Sequence, residues 1–588
     1  MNHLLDKINN PEDIKNYSIA ELELLADEMR SFLINSISET GGHIGTALGV
    51  IEPTISLHYV FNMPNDKIIF DTGHQGYPHK LLTGRKNLFN SLNEIDGMSR
   101  FLSRDESEYD LIDASHAGTA ISIASGMSFI DKNSNNFVIA VVGDGSLVEG
   151  MSFEGLNFGI SKKKPLIIVI NDNGMAIPPN VGGIKNLFSG EDSLKKSKSF
   201  FNGLGYNYKG IKDGHNIKDL ISAFNEAKNL TKENPTVVHV KTEKGKGLKI
   251  ASSHPYKMHF SMPFDPTTGE GSSPTPSGKT YAVVAGEKLY SLLQKNKDFM
   301  VITPSTPYAS GLDKCLQDFP ENVIDVGMAE QHALGMASGL ALNGKSVIVC
   351  YQSTFMQRAM DQIIHDMCFM NLPITILSVR SGFAGFDNHT HHGIYDISYL
   401  RSIPNLSIFY AGTSRDLESI IENQIKNPRG PMVVLHPYEE LRKDEEHYYS
   451  EDQSINNMEI LKDGKDGFIL SIGNTLGTSI KVCNYLSNHE IKFGLANVRW
   501  IKPLPIEIEK LIKSSKRLIT TEENVLNGGF GSSISELIND GDFDCSLLRN
   551  GIDDCFVKPG DKEYLSRITN IDEKSLISKI KHKWPDLF

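Results

Sequence analysis

No run of about 18 apolar residues interrupts the 588-residue chain, so a membrane-spanning helix is not expected. Cysteine is scarce. The six residues at 315, 350, 368, 483, 545 and 555 form no CxxC pair, which argues against a disulfide framework or a structural zinc site and leaves buried thiols as the expectation. Positive charge is in deficit, with 59 Lys and Arg against 72 Asp and Glu and a net charge of −13, and no dense basic stripe is available to meet a phosphate backbone. Nucleic acid and membrane are therefore not expected partners; small molecules are. The first residues, MNHLLDKINNPEDIKNYS, mix charges with apolar side chains and lack both an apolar core segment and a small-residue cleavage site, so no targeting segment is expected there and a cytoplasmic location is.

What the chain does have is a series of short β-branched runs alternating with helical patterns. These are NFVIAVVGDG (136–145), KPLIIVINDN (164–173), PTVVHVKT (235–242), KSVIVCYQ (345–352), LPITILSVR (372–380) and GPMVVLHP (430–437). Continuous apolar runs of this length, separated by helix-length segments, predict strands of parallel sheets buried on both faces. The expected fold class is α/β. Two polar stretches with little to bury, FDPTTGEGSSPTPSGKT and EELRKDEEHYYSEDQSINN, read as linkers. They divide the chain into 1–265, a linker at 266–280, a second unit at 281–445, a linker at 446–465, and a last unit at 466–588.

In VVGDGSLVEGMSFEGLNF a buried strand runs into a Gly-Asp-Gly turn and then a helix. Gly143 and Gly145 let the backbone approach a ligand, and the N–H groups of the helix start, with Ser146, favour an anion. Asp144 in the same turn would repel a phosphate unless a cation lay between them, so it reads as a ligand for Mg2+, a hard ion that bridges carboxylate and phosphate oxygens. IIVINDNGMAI offers the matching set at a neighbouring strand end, the Asn173 amide oxygen and the backbone carbonyl of Met175. A GDG motif, then 25 residues, then NDN, each at the end of a buried strand, is far more specific than a lone glycine-rich loop and resembles the signature of thiamine diphosphate enzymes; two unrelated turns of common composition are the bland alternative.

Together with GGHIGTALGVIEPTISLHYVF, DTGHQGYPHKLLTGR, SRDESEYDLIDASHAGTAIS, GMAEQHALGMASGLAL, STFMQRAMDQIIHD and TEENVLNGGFGSS, these motifs make the chain resemble the 1-deoxy-D-xylulose 5-phosphate synthases, a transketolase-like family, over almost its whole length. The resemblance implies three doubly wound α/β domains with mainly parallel sheets and a homodimer. It also implies thiamine diphosphate and Mg2+ as cofactors, and decarboxylation of pyruvate followed by transfer of the two-carbon unit to glyceraldehyde 3-phosphate.

Glu330 stands among small and apolar residues. Desolvation raises a carboxyl's pKa, which suits a group that shares a proton with the cofactor's pyrimidine nitrogen. The resemblance implies this role, with Phe355 stacked on the pyrimidine and Arg358 close by. A bland alternative is an acid favoured at a helix start. The small residues that follow (Ala333, Gly335, Ala337, Gly339) are expected to let the helix pack closely.

The resemblance further assigns active-site histidines to His43, His74, His116, His259 and His391. His43 and His259 would also touch substrate, and His74 and His116 the cofactor. His389 and His392 flank His391 without a companion ligand cluster, so zinc is not expected. Arg380 matches an arginine that grips the acceptor's phosphate, and Asp387 an aspartate that holds its hydroxyls; a planar guanidinium donates two parallel bonds to such a group.

Three departures stand out. The second phosphate-binding arginine is replaced in VVLHP by Leu435 and His436, with Arg442 or a protonated His436 as candidate substitutes. The tyrosine before STF is replaced by Gln352, and Tyr351, one residue earlier on a strand, should point to the other face. The segment after NDNGMAIPPNVGG is short. A transketolase-like paralogue with another acceptor or donor therefore stays open, as does a non-catalytic scaffold, although a scaffold has no need for Asp144, Asn173 and Glu330 together.

Overall fold

The computed structural model describes residues 3–113, 115–129, 136–161, 164–272, 278–443 and 455–588. Parts of both expected linkers, 273–277 and 444–454, lie outside the described residues. The chain forms two compact units, Met1–Ser277 with Val326–Ala329, and Gly278–Asp325 with Glu330–Phe588.

The first unit is built on β1 (Lys67–Phe70), β2 (Val138–Gly143), β3 (Leu166–Asp172), β4 (Asn207–Ile211) and β5 (Thr236–Lys241), in the order β1-β2-β3-β5-β4 and parallel throughout. Both faces are buried, and alternate residues show it. Ile139, Val141, Ile167 and Val169 belong to one core, while Val138, Ala140, Val142 and Ile168 belong to another. That is why these strands read as unbroken apolar runs: each buried Ile or Val contributes about 1.5 to 3 kcal/mol, so a polar residue on either face is costly. The long helix Ile19–Thr40 starts at a capping box, in which Ser18 accepts from the Glu21 N–H and Glu21 reaches back to the Ser18 N–H. Its Leu22, Leu25, Met29, Leu33 and Ile37 close a further core.

In the second unit, β6 (Phe299–Thr303), β7 (Val323–Asp325), β8 (Ser346–Gln352), β9 (Ile374–Ser381), β10 (Ser407–Tyr410) and β11 (Met432–Pro437) form a parallel sheet in the order β10-β11-β9-β8-β6-β7. A third sheet joins β12 (Glu459–Lys462), β13 (Gly467–Ser471), β14 (Phe493–Asn497), β16 (Arg517–Val525) and β17 (Ser546–Ile552), all parallel except β12 on β14. The short β15 (Trp500–Lys502) instead adds antiparallel to β10, extending the second sheet. All six strands expected from the apolar runs are present, and the fold is α/β with mainly parallel sheets.

Two expectations need correction. Cys315, Cys350, Cys368 and Cys483 are buried, but Cys545 is half-buried and Cys555 exposed, because both lie outside the sheet cores. In the helix Glu330–Leu342, Ala333 and Ala337 are buried, whereas Gly335 and Gly339 are exposed and a Cβ on either would meet nothing within 4 Å. Only part of the small-residue pattern serves close packing.

No helix among the described residues is long and apolar enough to cross a membrane.

Candidate active site

Within each unit, many of the residues singled out from the sequence lie at carboxyl ends of strands, where open α/β sheets bind ligands. In the first unit β2 ends at Gly143 and hands the chain to a 3-10 turn, Ser146–Val148, before the helix Gly150–Gly159 begins. The turn therefore passes into the helix less directly than the sequence suggested.

Asp144 is 1 % exposed, and its Oδ2 accepts from the Gly174 N–H and from Asn180 Nδ2, both at 2.8 Å. Its other oxygen, Oδ1, is buried with no hydrogen-bond partner. Burial first, and the nearby Asp172 next, push this carboxyl up to about 8. A buried carboxylate oxygen left without a donor fits a divalent cation, which supplies the missing counter-charge.

Gly174, with φ +76, takes the left-handed turn that brings its own N–H onto Asp144. Asn173 turns its Oδ1 to the Met175 N–H at 3.1 Å. The two loops are in close contact: a Cβ on Gly145 would stand 2.7 Å from Ala176. The middle residue of NDN is committed elsewhere, since Asp172 is hydrogen-bonded to His239 and ion-paired with Lys241, each at 2.7 Å.

Three of the five histidines meet in this unit. Ring centroids are 5.8 Å apart for His43 and His74, 5.6 Å for His43 and His259, and 5.1 Å for the stacked His74 and His259. Backbone pairing across more than two hundred residues makes this possible. Gly42 donates to Ser261 and accepts from it, at 2.8 and 3.0 Å, and the Gly45 N–H donates to the Met258 carbonyl at 2.8 Å. Phe101 and Phe260 pack on His43, with centroids 5.1 and 5.2 Å away. His116 is half-buried on a neighbouring loop, tied down where Asp71 accepts from the Gly118 and Ala120 N–H groups at 2.9 and 3.1 Å.

Sequence reasoning missed Asn180 and Lys244. Lys244 is 6 % exposed and its Nζ donates to the Ala176 carbonyl at 2.9 Å and to His259 Nδ1 at 3.1 Å. Burial pulls this amine down to about 7. Burial, followed by the charge of Lys244, lowers His74 to about 3 and holds His259 well below its ordinary range. A lysine between Glu243 and Gly245 in TEKGKG carries no local pattern that would have flagged it.

In the second unit Glu330 is the first residue of its helix and yet only 5 % exposed. A plain helix-start acid would stand in water. The Tyr351 hydroxyl donates to the Glu330 carbonyl at 2.7 Å and so anchors the helix start. Tyr351 is thus a structural partner of this segment, a role that counting strand faces did not suggest. Phe355 and His391 lie edge to face, centroids 5.5 Å apart, and Arg358 is half-buried beyond them on the same segment. Gln352 is buried at the end of β8.

Arg380 and Asp387, expected to share the acceptor, are ion-paired with each other at 2.5 Å. Leu435 is fully buried within β11, beside Ser378 of β9 and Tyr410 of β10. His436 is also buried, and burial lowers it to about 4, so it is neutral near pH 7 and does not replace a cation. Arg442 directs Nη2 to the Gly412 carbonyl at 3.3 Å.

Comparison with known proteins covers nearly the whole chain. The family model described as 1-deoxy-D-xylulose-5-phosphate synthase matches residues 5–198 and 189–242. Those for the transketolase pyrimidine binding domain and the transketolase C-terminal domain match 277–443 and 456–576. Proteins named 1-deoxy-D-xylulose-5-phosphate synthase are similar over nearly their full length. The one from Halothermothrix orenii is 38% identical, covering 98% of this chain and 97% of the relative. That from Carboxydothermus hydrogenoformans is also 38% identical, and that from Clostridium acetobutylicum 37%, each covering 99% of both chains. Likeness of this extent, on a chain whose strand ends carry the motifs described above, shows that the protein belongs to the 1-deoxy-D-xylulose-5-phosphate synthase family.

Proposed function

We propose that the protein catalyses the decarboxylation of pyruvate and transfer of the remaining two-carbon unit to D-glyceraldehyde 3-phosphate, giving 1-deoxy-D-xylulose 5-phosphate. The full-length likeness to synthases of that name carries this reading. Thiamine diphosphate, when bound, supplies the carbon nucleophile and the electron sink that let the carboxylate leave as carbon dioxide.

The protein's own groups have separable tasks. Asp144, the Asn173 amide oxygen and the Met175 carbonyl would hold Mg2+, with the unpartnered Asp144 oxygen as support. Gly143, Gly145, Ser146, His74 and His116 would receive the diphosphate. Glu330, kept from water, would hold a proton at the pyrimidine nitrogen, with Phe355 against the ring and Arg358 beside it. His74 and His259 are neutral near pH 7 and would act as hydrogen-bond partners rather than cations, while His43 and His391 pass protons as the new carbon bond forms and the aldehyde oxygen becomes a hydroxyl. Arg380 would hold the acceptor's phosphate and Asp387 its hydroxyls. The protein would work in the cytoplasm as a homodimer, its three parts divided near residues 265 and 445.

The test is a product assay with purified protein, pyruvate, glyceraldehyde 3-phosphate, thiamine diphosphate and Mg2+, read by NMR. The pentulose phosphate should form with one carbon dioxide released per product. A protein that binds the cofactor but condenses the two-carbon unit only with some other aldehyde, giving a different product, would overturn the assignment of acceptor.

A further inference from the structure

Arg380, at the carboxyl end of β9, is 8 % exposed and has a φ of 67, a strained backbone conformation for a non-glycine residue. Its nitrogens have three different fates. Nη1 donates to Asp387, Nη2 donates to the Tyr438 hydroxyl at 3.1 Å, and Nε is buried with no hydrogen-bond partner. The ring of Tyr438 also lies against the guanidinium, whose carbon is 4.0 Å from the ring centroid. In the segment VVLHPY, Leu435 lies fully buried within β11, and Tyr438, just past the strand end, is the residue that reaches the arginine.

An arginine already paired with a carboxylate has little net charge left for a phosphate. Its surroundings must therefore add donors. The Tyr438 oxygen accepts from Nη2, which leaves the hydroxyl's own proton free to donate, and a hydroxyl that accepts a bond from a cation is polarised into a stronger donor. The unused Nε–H is a second donor on the same group. We propose that Tyr438 is a specificity-determining residue of the acceptor subsite: it holds the Arg380 guanidinium by ring and hydroxyl, and offers its hydroxyl proton, alongside Arg380 Nε–H, to the phosphomonoester of a short aldehyde. This inference rests on the reading of Arg380 as the acceptor's phosphate ligand. It replaces a second cation with a neutral, polarised donor.

The experiment measures kcat and KM with pyruvate for D-glyceraldehyde 3-phosphate and for unphosphorylated D-glyceraldehyde, in the wild type, Tyr438→Phe and Tyr438→Arg. Calorimetric binding of sn-glycerol 3-phosphate to the same proteins gives a readout that needs no turnover. Tyr438→Phe should raise KM for the phosphorylated aldehyde on the order of tenfold, the range expected for losing a hydrogen bond to a charged group, and lower the preference for it by the same order. Glycerol 3-phosphate binding should weaken in step, and Tyr438→Arg should increase the preference. Equal losses on both aldehydes, or an unchanged preference with unchanged glycerol 3-phosphate binding, would overturn the inference. If the wild type makes no pentulose phosphate yet glycerol 3-phosphate binding still falls in Tyr438→Phe, the subsite stands and the proposed reaction does not.

Discussion

A carboxyl at the start of a helix is ordinary, and Glu330 differs from that pattern only in being cut off from water. Its proposed task depends on the acid itself and not on its shape. Glu330→Gln keeps the volume and most hydrogen bonds but cannot share a proton, so kcat should fall about 10²- to 10⁴-fold while calorimetry still detects thiamine diphosphate binding. Undiminished turnover would remove Glu330 from the proton relay.

His436 invites a second measurement at this scale. It is 2 % exposed, and burial lowers it to about 4. Between that value and the unfolded pKa of about 6.5, the unfolded chain binds more protons than the folded one, so stability is complete above about pH 6.5 and is lost as the pH falls towards 4. The full loss is about 3 kcal/mol for this one group. His74 and His392, at about 3 and 4, act in the same direction. Thermal unfolding followed from pH 7 to 4 should show the decline, and His436→Gln should make it shallower; an unaltered slope would mean that His436 titrates normally.

At the scale of elements, the loop after β2 and the loop after β3 work as one clamp. Gly145 sits where a Cβ would press on Ala176 at 2.7 Å, and Asp144 takes its hydrogen bonds from Gly174 and Asn180 on the other loop. Gly145→Ala should force the loops apart, cost about 1 to 3 kcal/mol in urea unfolding, and weaken the joint binding of Mg2+ and thiamine diphosphate in calorimetry. Were cofactor binding to survive intact, the clamp would not be what shapes the site.

The third sheet shows a comparable economy. Glu522, on β16, accepts the Phe530 and Gly531 N–H groups at 2.7 Å each and so closes the start of the helix Phe530–Asp540. That use accounts for one acid of TEENVLNGGFGSS without any catalytic role. Glu523, the next residue, accepts from the Phe383 N–H and from Asn474 within the same unit.

For the molecule as a whole, the proposed homodimer has support in apolar side chains that the single chain leaves in water. The helix Gly150–Gly159 exposes Met151, Phe153 and Phe158, and the segment Ile363–Phe369 exposes Ile364 and Phe369, the latter by 78 %. Exposed large apolar groups in such numbers commonly mark an interface. Sedimentation equilibrium should give twice the chain mass of 65.2 kDa, and Phe369→Glu should shift the mass towards one chain. A monomeric wild type would contradict the proposal.

Much of this protein is written locally in its sequence. Buried parallel strands need unbroken apolar runs because helices cover both of their faces, so β2, β3, β5, β8, β9 and β11 could be read directly, as could the polar Gly-Asp-Gly and Asn-Asp-Asn segments at two of their ends. Weaker strands such as Lys67–Phe70 and Asn207–Ile211 are short or half-buried and leave no such trace.

Only the tertiary structure decided which distant groups meet. His43 meets His259 edge to face because Gly42 pairs with Ser261; Lys244 reaches His259 and Ala176; and Arg380 meets Tyr438 rather than Leu435. Such meetings follow from strand order, register and the direction in which each side chain leaves its strand. These are set by contacts between residues far apart in the chain, for which a short window of sequence carries no pattern.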